Sequence, residues 1–248
     1  VLAPHSPGAA FREERDGLRI VRYAYLWPLR YQTICYEGGM IVRRRGSRWR
    51  QLQIPALVAA QFIAVQRLLR EPFDLIHAHS LLPQGWIAGL ANAVGAPLVT
   101  SSHGSDVFGL KKRWAPLLSH AVNSSSALIA NSRATRNRLM ELGARSNRVH
   151  LIPATPSYPD PEGPSHRPPT GPVVLFAGRI IPEKGVDILV EAMPEIRAAL
   201  PQCTLRIAGS GNMESELKDR VAHLGLAEAV SFTGWLPPDK LRGEMQTA

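Results

Sequence analysis

The sequence predicts an α/β protein built from two Rossmann-like, doubly wound domains. Three observations support this prediction: short apolar segments alternate with amphipathic ones, most apolar segments are continuous, and a proline-rich stretch divides the chain. Continuous apolar runs are typical of strands buried on both faces of a parallel sheet, and alternating strands and helices wind such sheets. We therefore expect helix-covered parallel sheets on both sides of the division.

The expected strands and helices follow from these two patterns. Strands are expected at 18–23, 73–79, 97–102, 127–131, 148–152, 173–177, 203–208 and 229–234, and helices at 50–70, 83–95, 132–143, 185–199 and 213–224. Val186, Val190 and Met193 belong to the clearest apolar stripe and are spaced for one face of a helix. The residues before Ala248 look like the beginning of one more helix.

A proline-rich segment marks the boundary between the two domains. The stretch 153–172, PATPSYPDPEGPSHRPPTGP, excludes both a helix and a central strand, because proline lacks the backbone donor that each of them needs. We therefore predict a first domain over 1–155, a linker over 156–172 and a second domain over 173–248.

Composition narrows the functional classes. No apolar run approaches the roughly 20 residues of a membrane span. Cys35 and Cys203 fit neither a zinc spacing nor a disulfide framework, which favours a reducing cytoplasm. The formal charge of +9 indicates an anionic partner, for which nucleic acid, a membrane surface and phosphorylated small molecules are the candidates.

The octet GRIIPEKG, residues 178–185, lies where an expected strand passes into an expected helix. At that edge of a parallel sheet, the free amides and the positive dipole end of the next helix favour an anion. Arg179 would add a planar guanidinium that can form two parallel hydrogen bonds to a phosphate, and Lys184 would add a mobile ammonium charge. Together the two groups suit a diphosphate. The alternative, two ordinary surface cations in a loop, is equally compatible with the octet alone.

The next two strand ends also carry loops that suit a ligand. Gly209 and Gly211 flank Ser210, which either lets a ligand approach the backbone closely or only permits a tight turn with positive φ. Trp235 and Leu236 follow the last strand and offer an apolar lip for a flat nucleobase. Three successive strand ends therefore carry candidate ligand contacts.

The order of these segments resembles the retaining glycosyltransferases of family 4, which have the GT-B fold. The run VVLFAGRIIPEKGVDILVEAMPEI, then LRIAGSGNMESELK, then LGLAEAVSFTGWLPPDKL, is similar to the first half of that family's donor-binding domain. FDLIHAHSLLPQGWIAGLANAVGAPLVTSSHGSDVF and ALIANSRATRNRLMELG are similar to its acceptor-side domain. The resemblance covers 73–248 well and 1–72 only loosely.

The resemblance implies transfer of a sugar, with retained anomeric configuration, from a nucleoside diphosphate donor to a hydroxyl of a saccharide or lipid-linked acceptor. This activity would serve cell-surface polysaccharide or glycolipid synthesis. The resemblance places Gly178, Arg179 and Lys184 at the donor, where the two cations neutralise the departing diphosphate. It implies no metal and no cofactor beyond the nucleotide sugar. The sequence itself offers no convincing Asp-x-Asp pair, and DPE at 160–162 is the nearest candidate.

The acceptor-side candidates surround the motif HGSD. Because this motif follows an expected strand, His103 should project into the cleft between the domains, and the resemblance implies that it positions the transferred sugar. The alternative is a strand-end histidine bonded to backbone. Asp106 and His79 are weaker acceptor-side candidates. His77 shares a strand face with His79, but strand-end packing explains the pair better than a metal. Ser132 is the expected N-cap of the following helix.

The stretch VRRRGSRWR, residues 42–50, concentrates five arginines around Trp49 and precedes an apolar helix. This pairing suits anionic lipid headgroups, so peripheral attachment to the inner face of the membrane is one expectation, and a solvated basic face is the other. Nucleic-acid binding is the rival for so basic a chain. We expect no nucleic-acid partner, because no RRM-like aromatic signature or zinc-finger spacing is present.

The chain departs from the family pattern in three places. IPATPSYPD stands where the family often has an Asn-Gly-Val-Asp-like turn. The family's paired glutamates, which engage the donor sugar and the ribose, would lie beyond Ala248, and its first strand and glycine-rich loop would precede Val1. We therefore expect a fragment of a longer transferase, with negligible turnover alone and at most weak nucleotide-sugar binding.

Overall fold

The computed structural model of the chain describes residues 1–35, 47–92, 95–154 and 171–248. It forms two compact units, Val1–Thr155 and Pro156–Ala248. Both units combine parallel strands with helices, which confirms the predicted α/β class. Most of the predicted linker, 156–172, lies outside the described residues.

The strands of the first unit form two sheets. They are β1 (Leu2–Pro4), β2 (Arg12–Arg15), β3 (Leu18–Tyr23), β4 (Ile76–His79), β5 (Leu98–Ser102), β6 (Ala127–Ala130) and β7 (Val149–Leu151). Strands β4 to β7 form a parallel sheet in chain order, whereas β3 pairs parallel with β1 and antiparallel with β2. In the parallel sheet His79 stands in register with Ser101, so the carboxyl ends of β4 and β5 meet at one edge.

The helices of the first unit confirm most of the predicted segments. They are α1 (Arg48–Leu68), α2 (Trp86–Ala91), α3 (Ser105–Phe108), α4 (Ala115–Ser124) and α5 (Arg133–Glu141). Ser132 caps α5 as predicted, since its hydroxyl accepts a hydrogen bond from the Thr135 amide at 3.1 Å. Helix α4 was missed, because its serines, histidine and asparagine mask the helical spacing of buried Leu118, Ala121 and Val122.

Helix α2 is shorter than the segment predicted at 83–95. An irregular helical turn, Leu81–Gly85, occupies the beginning of that segment, and α2 ends at Ala91. A Cβ atom built on Gly85 would stand 2.8 Å from Cγ2 of Thr100, so this glycine lets the turn pack directly on β5. The turn therefore fits closely against the strand that leads to the HGSD motif.

Over residues 171–248 the second unit is a three-stranded parallel sheet with three helices. Its elements are β8 (Val173–Ala177), α6 (Val186–Ala199), β9 (Thr204–Ala208), α7 (Glu214–His223), β10 (Val230–Gly234) and α8 (Pro238–Gln246). The strand order is β10-β9-β8, so β9 is central and all three carboxyl ends lie along one edge. Helix α8 is the helix expected near the last residues.

The predicted apolar stripe of α6 forms the core of this unit. Val186, Val190 and Met193 have no exposed surface, and they pack with Leu205 and Ile207 of the central strand. Burying a side chain of this size stabilises the fold by about 1.5–3 kcal/mol. Hydrophobic burial therefore fixes α6 on the sheet, and with it the loop that leads into α6.

Within the described ranges, no helix has both the length and the apolar character needed to cross a bilayer.

We expect Met193→Ala to lower the free energy of unfolding by about 2–5 kcal/mol, because it leaves a cavity in a fully packed core. Ile188→Ala is the matched control on the same helix, since Ile188 is 70% exposed and should change stability by less than about 0.5 kcal/mol. Denaturant unfolding followed by circular dichroism measures both variants. Equal effects of the two substitutions would contradict this account of the core.

Candidate functional site

The segment 178–185 connects β8 to α6 through the short helical turn Pro182–Lys184. Ile180 and Ile181 are buried and anchor the segment in the core, whereas Arg179 and Lys184 are exposed. Gly185 follows with a left-handed backbone, φ 65°, and α6 begins at the next residue. The predicted passage from strand to helix is confirmed, and both cations reach the surface beside it.

The first turn of α6 is suited to an anion. Its N-cap, Gly185, has no side chain, and no described side chain caps the first amides. These amides and the positive end of the helix dipole attract negative charge. Asp187 opposes this attraction, since its carboxylate lies in the same turn and its Oδ1 is buried without a hydrogen-bond partner in the described part of the chain. An anion bound here would rely on Lys184 and Arg179 to offset that carboxylate.

The loop that contains Ser210 packs backbone against backbone on the cationic loop. The Ile180 amide donates a hydrogen bond to the Ser210 carbonyl at 3.0 Å. A Cβ atom on Gly209 would stand 1.8 Å from the Gly178 carbonyl oxygen, and one on Gly211 would stand 2.0 Å from that of Ile180. Contact between two protein loops is therefore sufficient reason for both glycines. Their approach to a ligand, and that of Ser210, stays a prediction.

The third strand end is joined to the same edge. The Gly209 amide donates to the carbonyl of Gly234, the last residue of β10, at 2.8 Å. Trp235 follows and is 71% exposed, whereas Leu236 is half-buried. Hydrogen bonds thus connect the three loops that sequence reasoning selected. The nucleobase contact of Trp235 and Leu236 stays a prediction.

Three histidines form a row at the carboxyl ends of β4 and β5. His77 and His79 lie on one strand face with ring centroids 4.4 Å apart, and the ring of His103 stacks parallel to that of His79 at 5.6 Å. Nε2 of His77 hydrogen-bonds Oγ of Ser101 at 2.8 Å, and Nδ1 of His79 faces Nε2 of His103 at 3.4 Å. His103 is exposed and has a second side chain, rather than only backbone, as its neighbour.

The row makes the charged form of His79 unfavourable. Partial burial lowers the pKa of His79 below its ordinary value of 6.5, and the neighbouring His77 and His103 lower it further. His79 is therefore neutral at pH 7 and can offer His103 one acceptor or one donor nitrogen, according to its tautomer.

Asp106 is buried and acts on the fold of the motif. Its carboxylate accepts hydrogen bonds from the backbone amides of Leu81 (2.9 Å) and His103 (3.0 Å) and from the Ser102 hydroxyl (3.0 Å). Only 3% of Asp106 is exposed, so in this structure it is a positioning residue rather than an acceptor contact. The sequence did contain a signal for this positioning role. Asp106 lies three residues after His103, and aspartate side chains commonly accept hydrogen bonds from nearby backbone amides.

The described residues contain no group of three or more His, Cys, Asp or Glu arranged to hold a metal ion, and this includes the three histidines. The DPE segment at 160–162 lies outside the described residues.

The fold is similar to that of solved glycosyltransferases. HepE from Anabaena in complex with UDP gives a TM-score of 0.54 at 23% identity, over 73% of this chain and 52% of that one. The lipopolysaccharide outer core galactosyltransferase WaaB gives 0.56 at 15% identity, over 80% and 54%. At these identities the likeness shows the fold alone, which is the GT-B fold of these structures.

Sequence comparison then assigns the family. Residues 1–154 match the model described as Glycosyltransferase Family 4, and residues 162–248 match the one described as Glycosyl transferases group 1. The chain therefore belongs to glycosyltransferase family 4, as the resemblance implied. It spans about half the length of the curated relatives it matches.

Two curated relatives illustrate the range of the family. A GDP-mannose-dependent α-(1-6)-phosphatidylinositol monomannoside mannosyltransferase from Mycolicibacterium smegmatis is 32% identical, over 71% of this chain and 50% of its own length. A D-inositol 3-phosphate glycosyltransferase from Acidothermus cellulolyticus is 31% identical, over 76% of this chain and 49% of its own length. The two names give different acceptors and only the first specifies a donor, so family membership leaves both open for this chain.

We expect Gly209→Ala to destabilise the second unit by roughly 2–4 kcal/mol, because the new methyl group would overlap the Gly178 carbonyl and the φ of +147° disfavours any side chain. Gly243→Ala is the matched control in α8, where a Cβ atom meets nothing within 4 Å and alanine should stabilise by about 0.5–1 kcal/mol. Thermal unfolding distinguishes them. A neutral Gly209→Ala would refute the loop contact.

We expect the NMR titration of His79, followed at ring Cε1–H, to have a midpoint below 6.5. The unfolded chain then binds more protons than the folded one just below pH 6.5, so stability that is complete above this pH is lost as the pH falls. His77→Gln should raise the midpoint only in part, since burial is the larger cause. A midpoint at or above 6.5 would contradict the coupling of the row.

Proposed function

We propose that the parent protein transfers a sugar, with retention of anomeric configuration, from a nucleoside diphosphate sugar to an acceptor hydroxyl. The observation that carries this proposal is the display of Arg179 and Lys184 on the buried Ile180–Ile181 anchor, beside the uncapped start of α6. Family membership supplies the reaction class, and this loop supplies a place for the diphosphate.

The chemistry that we assign to this loop is charge neutralisation of the leaving group. When the bond between the anomeric carbon and the diphosphate oxygen breaks, the electron pair stays on that oxygen. The guanidinium of Arg179, the ammonium of Lys184 and the first amides of α6 would stabilise the resulting charge without a metal ion. Preorganised donors of this kind are worth about 3–4 kcal/mol each in other enzymes.

On the acceptor side we propose that His103 hydrogen-bonds the transferred sugar. The Asp106 carboxylate fixes the backbone of His103 through a hydrogen bond of 3.0 Å, and the ring of His79 stacks against that of His103 at the end of β5. A ring that is already oriented loses little entropy when it binds a hydroxyl group. Asp106 and His79 would then serve the acceptor side through His103.

The acceptor that we propose is a saccharide or a lipid-linked molecule of cell-surface polysaccharide or glycolipid synthesis. The name of one relative supports a lipid-linked acceptor, since that enzyme acts on a phosphatidylinositol monomannoside. The HepE structures contain UDP or UDP-glucose, which supports a nucleoside diphosphate donor. A cytoplasmic location fits the free thiols of Cys35 and Cys203, which the structure leaves unpaired with each other.

We expect the 248-residue chain to bind nucleoside diphosphates weakly and to show negligible turnover. Titration with UDP, GDP and ADP, followed by amide NMR shifts, should perturb residues 178–185. Lys184→Ala should weaken binding roughly tenfold or more, because a charge-assisted hydrogen bond is lost. Arg197→Ala is the matched control, since it removes one positive charge at the opposite end of α6. Equal loss in both variants would contradict the site.

The same substitution tests the parent enzyme. Lys184→Ala should abolish donor turnover with the thermal unfolding midpoint unchanged, and NMR of the product should show the anomeric configuration of the donor. An inverted product would overturn the retaining mechanism while leaving the diphosphate site intact. Steady sugar transfer by the 248 residues alone would overturn our expectation for this chain.

A further inference from the structure

The positive charge of the chain is concentrated in one segment. Residues 17–70 contain ten arginines and a single acidic residue, Glu37, whereas the remainder of the chain has nineteen basic and nineteen acidic residues. The net charge of +9 therefore equals that of this segment in the sequence, although in the structure Arg19 and Arg22 pair with Glu71 and Glu13, which lie just outside it. Arg43 to Arg45 lie outside the described residues, and the features described below belong to other members of the segment.

The structure brings two parts of this segment together at the surface. The ring of Tyr31 meets that of Trp49 edge to face with centroids 6.2 Å apart, and the Arg30 guanidinium lies over Tyr31 at 5.2 Å. Trp49 is 52% exposed, and Leu52, one turn further along α1, is 70% exposed. Trp27, just before the turn that carries Arg30, is 78% exposed. We call the set Trp27, Arg30, Tyr31, Arg48, Trp49 and Leu52 the aromatic–arginine patch.

Buried amides hold the two parts together beneath this patch. Oε1 of Gln53, on α1, accepts from the Thr33 amide at 3.1 Å, and its Nε2 donates to the Thr33 hydroxyl at 2.9 Å. Oε1 of Gln32 accepts from the Tyr25 amide at 3.0 Å. Tyr25 and Leu57 are buried in the small core below. Because these amides are only 1% exposed, their hydrogen bonds are shielded from water, and the patch is held on a fixed base.

We propose that the aromatic–arginine patch docks the first unit on an anionic lipid bilayer. Tryptophan and tyrosine rings prefer the headgroup level, where one edge of the ring is apolar and the other is hydrated. Arginines beside them bind lipid phosphates, and each basic residue near such a surface contributes about 1 kcal/mol. Leu52 and the two tryptophans would lose water contact on docking, which adds the hydrophobic contribution that a purely ionic face lacks.

The geometry favours a bilayer over single-stranded nucleic acid. Base stacking requires free aromatic faces, which Tyr31 does not offer because Arg30 lies over its ring and Trp49 meets it edge to face. The exposed side chain of Leu52 also suits the apolar part of a bilayer better than the charged backbone of a nucleic acid. The patch shares no residue with the cationic loop or with the histidine row, so its failure would leave the proposed sugar transfer untouched.

The test is co-sedimentation of the 248-residue chain with phosphatidylcholine vesicles, with and without phosphatidylglycerol. We expect binding only to the vesicles that contain phosphatidylglycerol. Arg30→Gln with Arg48→Gln should weaken binding by about 25-fold, at about fivefold for each arginine. The matched control is Lys111→Gln with Lys112→Gln, which removes the same charge from another exposed part of the first unit. The control should bind within about twofold of the unaltered chain, and circular dichroism checks that both variants fold.

Vesicles with brominated acyl chains supply a second measurement. Quenching of tryptophan fluorescence should be lost in Trp27→Phe with Trp49→Phe and retained in Trp235→Phe. Equal loss of binding in both double glutamine variants would overturn the proposal, because binding would then follow total charge. Indifference to phosphatidylglycerol would also overturn it. Patch-dependent binding of poly(U) without vesicle binding would replace the bilayer by single-stranded RNA.

Discussion

Backbone contact between two loops is the constraint on which the donor side of this protein depends. The cationic loop and the Ser210 loop touch through main-chain atoms, and no side chain fits between them at Gly209 or Gly211. This contact fixes where β8 ends relative to β9, and buried Ile180 then determines where the loop leaves the core. Packing therefore determines the positions of Arg179 and Lys184, and this packing is possible only because residues 209 and 211 are glycines.

The first unit orders its candidate residues by a different device. A buried carboxylate, Asp106, gathers amides from the end of β5 and from the turn that precedes α2. The side chain of His103 lies at the surface next to these hydrogen bonds, and its ring stacks against that of His79 on the neighbouring strand. One unit therefore uses the absence of side chains and the other uses a buried charge, yet each presents polar groups where parallel strands end.

The spacing of apolar residues and the residue types in the loops predicted most of the fold. They could not predict which groups each side chain contacts. All eight strands expected from apolar runs exist, with ends that differ from the expected ones by at most three residues, because such runs have few alternatives to a buried strand. Strands β1 and β2 were missed, since LAP is very short and REER carries four charges. At the candidate site, the residue types were readable, whereas the inward orientation of Asp106 and the backbone role of Gly209 depend on which strands are neighbours.

The concentration of all net charge in residues 17–70 has a consequence for how the molecule moves near a charged surface. An anionic surface attracts the arginines of the aromatic–arginine patch, and the resulting torque turns the patch toward that surface. Screening confines this torque to about 8 Å at physiological ionic strength. The protein would therefore rotate into the docking orientation only when it is already within about 8 Å of the membrane surface, and it would not be attracted from farther away.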